Sequence, residues 1–486
     1  MMNAHRIIAI LIITTLASNI AHAGQAKEKT VKWPAHIQSV FDATKPLEFD
    51  RGDRLPLYIW QAMDPGPLDD KTAEELVRKL NVRGVGLISS WDPRDRGESL
   101  TKAFTIAKAQ KKLGLRININ ATGCLYSFFD GDKRTAHIDE DGKPFWDDSF
   151  GKQNMGCPFA LDFRTPVVRE QVEFFVKEYK RAGLDIDFIF VDWEIDGPIE
   201  FNKAQAASKQ CRRCRQNIKN IDDFDRFQKI LRKLRSQLQR QVYAEPVTMN
   251  FPKALVGNYG VYPNNGFRYW YDYFEYYVEG QPYQQDQNAK YRKWYHEFPE
   301  TGYTFAMPVV YTWGRIFGWY DYADTDYRWF YNLLLVASNA GENTPAQIPI
   351  ISFVHWHTVG SGPSGGKIKQ FSGDKYQELL WHMLLRGTDT FFIWCGRQDA
   401  EKEIQLVHQV YAQAQQFGEF LSKGTPINFS VPKQPGTVIS GLKLQNRVLI
   451  RRTDFKENDF PIEITVDGAK IKVPAIPGRC QIISLP

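Results

Sequence analysis

The stretch FIFVDWEIDGP, residues 188–198, contains the strongest hydrophobic run of the sequence and is bordered by acids. Asp187 precedes the run, while Asp192, Glu194 and Asp196 follow it closely. A short run that is apolar at every position is typical of a strand buried on both faces, as in a parallel sheet. The stretch therefore predicts a buried parallel strand that ends in carboxylates.

Similar apolar runs recur along the chain, separated by amphipathic helical patterns. The other predicted strands are LPLYIWQA (55–62), VGLISSW (85–91), LRININ (115–120), PVTMNF (246–251), TFAMPVVYTW (304–313), IPIISFVHW (348–356) and DTFFIWC (389–395). Eight such strand–helix units predict an α/β fold, a (β/α)8 TIM barrel, over residues 55–423. A doubly wound open sheet is the alternative, but no GxGxxG turn follows the first strand.

The ends of the chain differ from the barrel in pattern. Residues 1–23 carry an apolar run before Ala21-His22-Ala23, which predicts a cleavable signal peptide and a secreted or periplasmic protein. Residues 24–54 form an N-terminal segment. Residues 424–486 alternate in short runs, which predicts a small antiparallel β-sandwich. Because clustered aromatic residues are few there, we expect that region to pack against the barrel rather than to bind carbohydrate.

Composition narrows the class of function. The chain is 43% hydrophobic and 14% aromatic, with a formal net charge of +6. The basic excess is mild and lacks a long basic block, so nucleic acid is not an expected partner. It suits an anionic substrate. Beyond the signal peptide, no apolar stretch is long enough to predict a membrane span.

The sequence contains six cysteines, two of which form the CxxC motif Cys211-Arg212-Arg213-Cys214. Such a motif can be a local disulfide, half of a zinc site or a redox pair. No second CxxC or HxxxH completes a zinc site, and no thioredoxin-like pattern surrounds the motif. A structural role is therefore favoured, and neither a metal nor another cofactor is expected.

In a barrel enzyme the chemistry lies at the carboxyl ends of the strands. Asp192 and Glu194 share one face of the fourth strand, about 6–7 Å apart at their Cα atoms. Like charges at that range, above an apolar floor of Phe188 and Phe190, raise the pKa of one carboxyl. One acid that holds its proton beside one that ionises is what glycosidic bond cleavage requires. The structural alternative is an ion-paired or helix-capping acid cluster, which is how we interpret Asp187.

Other strand ends carry aromatic and polar side chains suited to a sugar cleft. The predicted substrate-binding residues are Trp60, Trp91, Tyr311, Trp313, Trp394, Asn120, Asn250, His355, His357 and Arg397. His355 and His357 lie on one side of a strand, but no third ligand can be named, so substrate hydrogen bonding is favoured over metal binding. Basic candidates for an anionic substrate are Arg94, Arg96, Lys253, Arg315 and Arg397.

These residues carry a family resemblance. The motif VDWE resembles the D-W-E of family 56 hyaluronidases and the end of the D-x-x-D-x-D-x-E signature of family 18 chitinases, with Phe190 in the place of one acid. LPLYIWQAMDP resembles the first hyaluronidase strand, GTDTFFIWCG resembles the last strand of both families, and MPVVYTW resembles the sixth strand of family 18.

The resemblance implies roles for individual residues. Glu194 would be the general acid/base, and Asp192 would orient a substrate acetamido group that acts as the nucleophile. Tyr311 would contact that group, and Trp394 would floor the pocket. We therefore predict a secreted, endo-acting glycoside hydrolase of an anionic polysaccharide or oligosaccharide.

Two alternatives stay open. One is a retaining hydrolase of a sulfated galactan or fucan, with Asp192 or Glu194 as the enzyme nucleophile. The other is a carbohydrate-binding barrel without catalysis.

Overall fold

The computed structural model describes residues 31–125, 131–147, 154, 156–193, 204–268, 292–293, 297–360, 366–395 and 400–486. A parallel sheet of eight strands forms its centre, which confirms the barrel prediction. In chain order the strands of the described part are β1 Leu57–Met63, β2 Val85–Ser90, β3 Asn118–Asn120, β4 His137–Ile138, β5 Pro144–Phe145, β6 Phe188–Val191, β7 Leu255–Asn258, β8 Phe267–Arg268, β9 Arg292–Lys293, β10 Val309–Trp313, β11 Ile351–Val359 and β12 Thr390–Ile393. The barrel order is β10-β11-β12-β1-β2-β3-β6-β7, so β4–β5 and β8–β9 are hairpins outside the barrel.

The sheet closes through the segment that leads into β10. The Thr304 and Phe305 amides donate to the Val256 carbonyl on β7, and Ala306 bridges to Ile350 just before β11. Every strand of the sheet therefore has hydrogen-bonded neighbours on both sides, and the strands place their carboxyl ends at one mouth.

Helices surround this sheet. The described α-helices are α1 Ala35–Ala43, α2 Asp70–Asn81, α3 Arg96–Lys112, α4 Arg164–Arg181, α5 Ala204–Gln210, α6 Arg212–Asn217, α7 Phe224–Gln239, α8 Glu245–Asn250, α9 Phe298–Thr301, α10 Gly314–Phe317, α11 Thr325–Asn343, α12 Gly373–Leu384, α13 Ala400–Ala414 and α14 Gly418–Lys423. The side chains of Asp69, Asp95, Asp223, Asp324 and Ser372 cap five of them by accepting a first-turn amide. None of the described helices is both long and apolar enough to span a membrane.

The predicted fifth strand at 246–251 is wrong. Those residues form the last helical turns of a continuous run that passes from α7 through a π-helical turn, Arg240–Ala244, into α8. Pro246 lies inside this run, directly after the π-helical turn, where it removes one backbone hydrogen bond without ending the helix. The β-branched neighbours Val247 and Thr248 therefore did not enforce a strand. The real strand is the shorter β7. Its Gly257 lacks a side chain that would otherwise meet the Phe305 ring at 2.6 Å, so Phe305 can fill the barrel.

The C-terminal part is antiparallel, as predicted. It comprises β13 Thr425–Pro426, β14 Thr437–Leu444, β15 Arg447–Asp454, β16 Ile462–Val466, β17 Ala469–Val473 and β18 Cys480–Ser484, arranged as a four-stranded and a two-stranded sheet. Buried polar contacts join it to the barrel helices. His382 on α12 contacts Ser440 at 2.7 Å and Thr453 at 2.9 Å, and the Arg386 guanidinium donates to the Ser430 carbonyl. These contacts fit a packing module on one flank.

The proposed boundaries between segments remain sequence predictions, and the predicted signal peptide at 1–23 lies outside the described residues.

Candidate active site at the carboxyl end of the barrel

The fourth barrel strand, β6, divides its side chains between two environments. Ile189, Val191 and Trp193 point outward into the core between sheet and helices. Phe188 and Phe190 point inward and join the ring-filled interior, where Phe188 stacks on Tyr58 at 4.2 Å. This alternation is what the sequence predicted for the stretch, and it directs Asp192, the next residue on the inward side, toward the mouth.

Asp192 is held at the point where the strand ends. Its amide donates to the Thr122 hydroxyl at 2.8 Å, while the Trp193 amide donates to the Asn258 side chain at 3.0 Å. Burial raises the pKa of the Asp192 carboxyl from 3.8 to about 7, because the surrounding protein disfavours its charged form. The carboxyl can therefore hold a proton near neutral pH. Glu194 lies outside the described residues, so its place follows from its spacing alone.

Asn258 is a site residue that the sequence analysis missed. It ends β7, is fully buried, and both accepts from the Trp193 amide and donates to the Trp193 carbonyl. This two-point contact fixes the backbone immediately before Glu194. The erroneous fifth strand hid Asn258, since the true strand is only four residues long.

Aromatic rings floor the mouth. Trp60 meets Phe190, Phe353 and Phe392 edge to face, with ring centroids 6.2–6.5 Å apart. Tyr311 stacks on Trp394 at 5.3 Å and is 7% exposed. The structure thus brings Trp60, Tyr311 and Trp394, three of the predicted substrate-binding residues, into one ring cluster.

His355 joins this ring cluster, with its ring 4.7 Å from that of Trp394. Behind it lies a fully buried acid, Glu403, which the sequence analysis also missed because it belongs to helix α13. The Glu403 carboxyl lies 3.0 Å from His355 Nδ1 and accepts the Trp356 amide at 2.7 Å. Because that carboxyl accepts hydrogen bonds, Nδ1 carries the proton and Nε2 is left for the mouth.

A chain of polar side chains crosses the ends of the first three strands. Asp64 follows β1 with φ of +47° and accepts from both the amide and the hydroxyl of Ser90 on β2, at 2.8 and 2.6 Å. Asn120 on β3 donates to the same hydroxyl at 3.2 Å. Asn120 is therefore at the mouth, as predicted, and Asp64 adds an exposed acid held in an uncommon backbone conformation.

Two predicted substrate-binding residues lie elsewhere. Trp91 is 1% exposed and stacks on Phe175 at 5.0 Å, between the barrel wall and helix α4, because it falls on the outward face of its segment. Asn250 ends helix α8, where its side chain donates to the Pro246 carbonyl and its own carbonyl accepts from Lys180 at the end of α4. Helices return antiparallel to the strands, so this position is at the opposite end of the barrel.

The other predicted binding residues lie in several different places. Trp313 and His357 are half-buried beyond the ring cluster, with His357 5.8 Å from His355. Arg397 and the Arg315 side chain lie outside the described part. Among the other basic candidates, Arg94 pairs with Asp92 and Arg96 pairs with Glu170. Lys253 precedes β7 and therefore lies at the far end of the barrel.

Within the described ranges, the His, Cys and acidic side chains spaced to hold a metal are not at this mouth but in the loops after β3 and β6. The role of His355 and His357 in hydrogen bonding to a substrate stays a prediction.

No protein-family model matches the sequence, and no curated protein matches it. Several solved structures that resemble it are glycoside hydrolases. A β-galactosidase of the haloarchaeon Halorubrum lacusprofundi gives a TM-score of 0.45 at 11% identity, covering 76% of this chain and 59% of that one. A GH36 α-galactosidase of Geobacillus stearothermophilus gives 0.44 at 11%, covering 91% and 57%.

Bee venom hyaluronidase gives a TM-score of 0.31 at 12% identity, covering 56% of this chain and 82% of that one. This chain covers less than three-fifths of the length of each of the two galactosidases. At these identities the activity of this chain has to be inferred from its own residues.

Proposed function

We propose that the protein is a secreted glycoside hydrolase whose chemistry is carried by Asp192 and Glu194 at the carboxyl end of β6. The observation that carries the proposal is the Asp192 carboxyl, whose pKa burial raises to about 7 at a ring-floored barrel mouth. A carboxyl tuned to hold a proton near neutral pH, next to a second acid two residues on, supports glycosidic acid/base catalysis.

Glu194 is proposed as the general acid/base and Asp192 as the residue that orients a substrate acetamido group. Orienting an N–H requires only an acceptor oxygen, which a carboxyl offers whether or not it is protonated. An enzyme nucleophile, in contrast, has to be ionised, and a pKa near 7 leaves Asp192 largely protonated in mildly acidic solution. This difference supports the substrate-assisted mechanism over the alternative with Asp192 as nucleophile.

The substrate is proposed to be an anionic polysaccharide attacked internally. The net charge of +6 supports an anionic polymer. The aromatic pair Tyr311 and Trp394 supports a bound sugar ring, with His355 available as a hydrogen-bonding partner. Because Arg94 and Arg96 are already ion-paired, Arg315 and Arg397 become the basic candidates to test.

The deciding experiment measures reducing ends released from a panel of polysaccharides. Glu194→Gln should lower kcat by about 10²–10⁴-fold while leaving binding intact, since proton transfer contributes that much. Asp187→Asn is the matched control, because Asp187 is an acid at the other end of the same strand and accepts the Ile117 amide, a role that an asparagine oxygen also fills.

An inhibitor and a trapped intermediate distinguish the two mechanisms. Inhibition by a thiazoline supports substrate assistance, whereas a covalent sugar on Asp192 would establish the enzyme-nucleophile mechanism. Sugar binding without release of reducing ends from any polymer would overturn the hydrolase and leave a carbohydrate-binding barrel.

A further inference from the structure

Four side chains that are far apart in sequence meet in the loops above the barrel. His137, Cys157, Cys211 and Cys214 are all fully buried, and one ligand atom from each lies within 4.8 Å of the other three. His137 and Cys157 come from the loop after β3, whereas Cys211 and Cys214 come from the loop after β6. The CxxC motif therefore has the two further ligands that the sequence analysis could not find.

The spacing of the sulfurs identifies the chemistry. Cys157 Sγ lies 3.5 Å from Cys214 Sγ and 3.8 Å from Cys211 Sγ. A disulfide requires about 2.05 Å. Tetrahedral zinc with Zn–S bonds of about 2.3 Å instead holds its sulfurs about 3.8 Å apart. His137 Nδ1 completes the tetrahedron at 3.9 Å from Cys214 Sγ.

The surroundings are those of a built site rather than a chance cluster. His137 begins the hairpin β4–β5, and its ring stacks on Phe145 at 5.1 Å. The Cys157 amide donates to the Thr135 carbonyl at 2.7 Å, an approach that only Gly156 permits, because a side chain there would lie 2.2 Å from that oxygen.

Helix α6 is fixed to the same hairpin. The Arg213 guanidinium, between the two cysteines of the motif, donates to the Ala136 carbonyl at 2.9 Å. Zinc with three thiolates and one neutral imidazole carries a net charge of −1. Arg212 and Arg213 on that helix provide complementary positive charge, while Arg215 pairs with Glu140.

We propose that His137, Cys157, Cys211 and Cys214 bind one Zn²⁺ in a closed, structural Cys3His site. Four protein ligands leave no position for water, so the ion takes no part in catalysis. It links the loop after β3 to the loop after β6, and the latter follows directly from Asp192.

The first test is metal content. Inductively coupled plasma mass spectrometry of the purified full chain should find one zinc ion per molecule. Substitution with Co²⁺ should give the intense visible absorption of a tetrahedral ion and a thiolate-to-cobalt charge-transfer band. This measurement needs no variant, so it remains decisive even if ligand variants fail to fold.

The second test separates ligands from bystanders. Cys157→Ser and Cys214→Ser should lose the zinc and the charge-transfer band, whereas Cys480→Ser, a half-buried cysteine of the C-terminal sheets, should keep both. Denaturation in a chelator should expose all six cysteines to alkylation without a reductant. A metal-free protein with only four alkylatable thiols would overturn the proposal in favour of a disulfide. Glycosidase activity enters neither measurement, so failure here leaves the proposed function untouched.

Discussion

The interior of the barrel and the loop cluster above it are held together in different ways. Rings from strand after strand fill the barrel: Phe188 contacts Phe305, Phe190 contacts Phe392, and Phe392 contacts Phe353. The loop cluster has a small apolar core of its own and converges on His137, Cys157, Cys211 and Cys214. Losing one ring from the barrel weakens a large core, whereas losing one ligand removes the element that joins two loops.

The contrast bears on function, because Asp192 follows barrel strand β6 and the cysteines of the CxxC motif lie further along the same connection between β6 and β7. Asp192 ends a strand that belongs to the barrel, and the loop that follows it reaches Cys211 and Cys214. The sheet therefore sets the backbone position of Asp192, while the proposed metal holds the connection that follows it. Stability and activity should respond separately to changes in each region.

The largest expected effect is that of withdrawing the metal. A chelator should raise the amide exchange rates of residues 156–160 and 204–217 by about 100-fold or more, since local unfolding loses its main barrier. Amides of the barrel strands should exchange as before. Adding zinc back should restore protection. Equal acceleration in barrel and loops would contradict the separation of the two regions.

A cavity among the aromatic rings that fill the barrel should have the opposite effect: it should destabilise the barrel and leave the metal site unchanged. Phe190→Ala should lower the free energy of unfolding by about 3–5 kcal/mol, because the vacated space is lined by Phe188, Phe392 and Trp60. Urea denaturation measures this loss. Phe49→Ala is the control, since Phe49 is 38% exposed and should change the stability little. Zinc content should not change, and its loss would show that the two regions are coupled.

This comparison also shows what the sequence can reveal. The inward and outward faces of β6 were predictable because alternation is a local property of a strand, so Phe190 and Asp192 fell where expected. Trp91 and Asn250 did not, because an aromatic or amide at a presumed strand end carries no signal for the face or the strand boundary that it occupies.

The metal ligands were beyond prediction for a different physical reason. Cys157 lies 54 residues from Cys211, and only the pairing of β3 with β6 brings their loops together. The β4–β5 hairpin is a local structure, but no local pattern indicates that it presents His137 to the thiols. Glu403 was hidden likewise, as a helix acid that becomes relevant only through its contact with His355.

The protonation of Asp192 should make the free energy of unfolding fall as the pH rises, by a smaller amount than the cavity does. Its pKa is raised from the ordinary aspartate value of 3.8 to about 7 by folding, so the folded state binds the proton more tightly than the unfolded state. Its contribution to stability is full below pH 4 and is lost as pH rises through 7. Asp192→Asn should therefore match the wild type at pH 4 and exceed it by about 2 kcal/mol at pH 8, after discounting for partial exposure.

For Asp92→Asn, the difference in stability from the wild type should depend on pH in the opposite direction, so that the variant becomes the less stable protein as the pH rises. The Arg94 guanidinium lowers the pKa of Asp92, so this acid stabilises the fold once it ionises. Urea denaturation across the pH range measures both variants. If the difference between Asp192→Asn and wild type did not grow with pH, the raised pKa would be wrong.

The smallest expected effect concerns Glu403, a buried residue behind the mouth that we expect to affect activity by positioning His355. Glu403→Gln keeps an acceptor for the Trp356 amide but replaces the second carboxylate oxygen, which contacts His355 Nδ1, by an amide group. We expect about a 10-fold fall in kcat/KM, near 1.4 kcal/mol, with little change in melting temperature. The exposed neighbour Glu401→Gln should change neither quantity. A fall in activity that is matched by an equal loss of stability would show that Glu403 only packs the barrel and does not position His355.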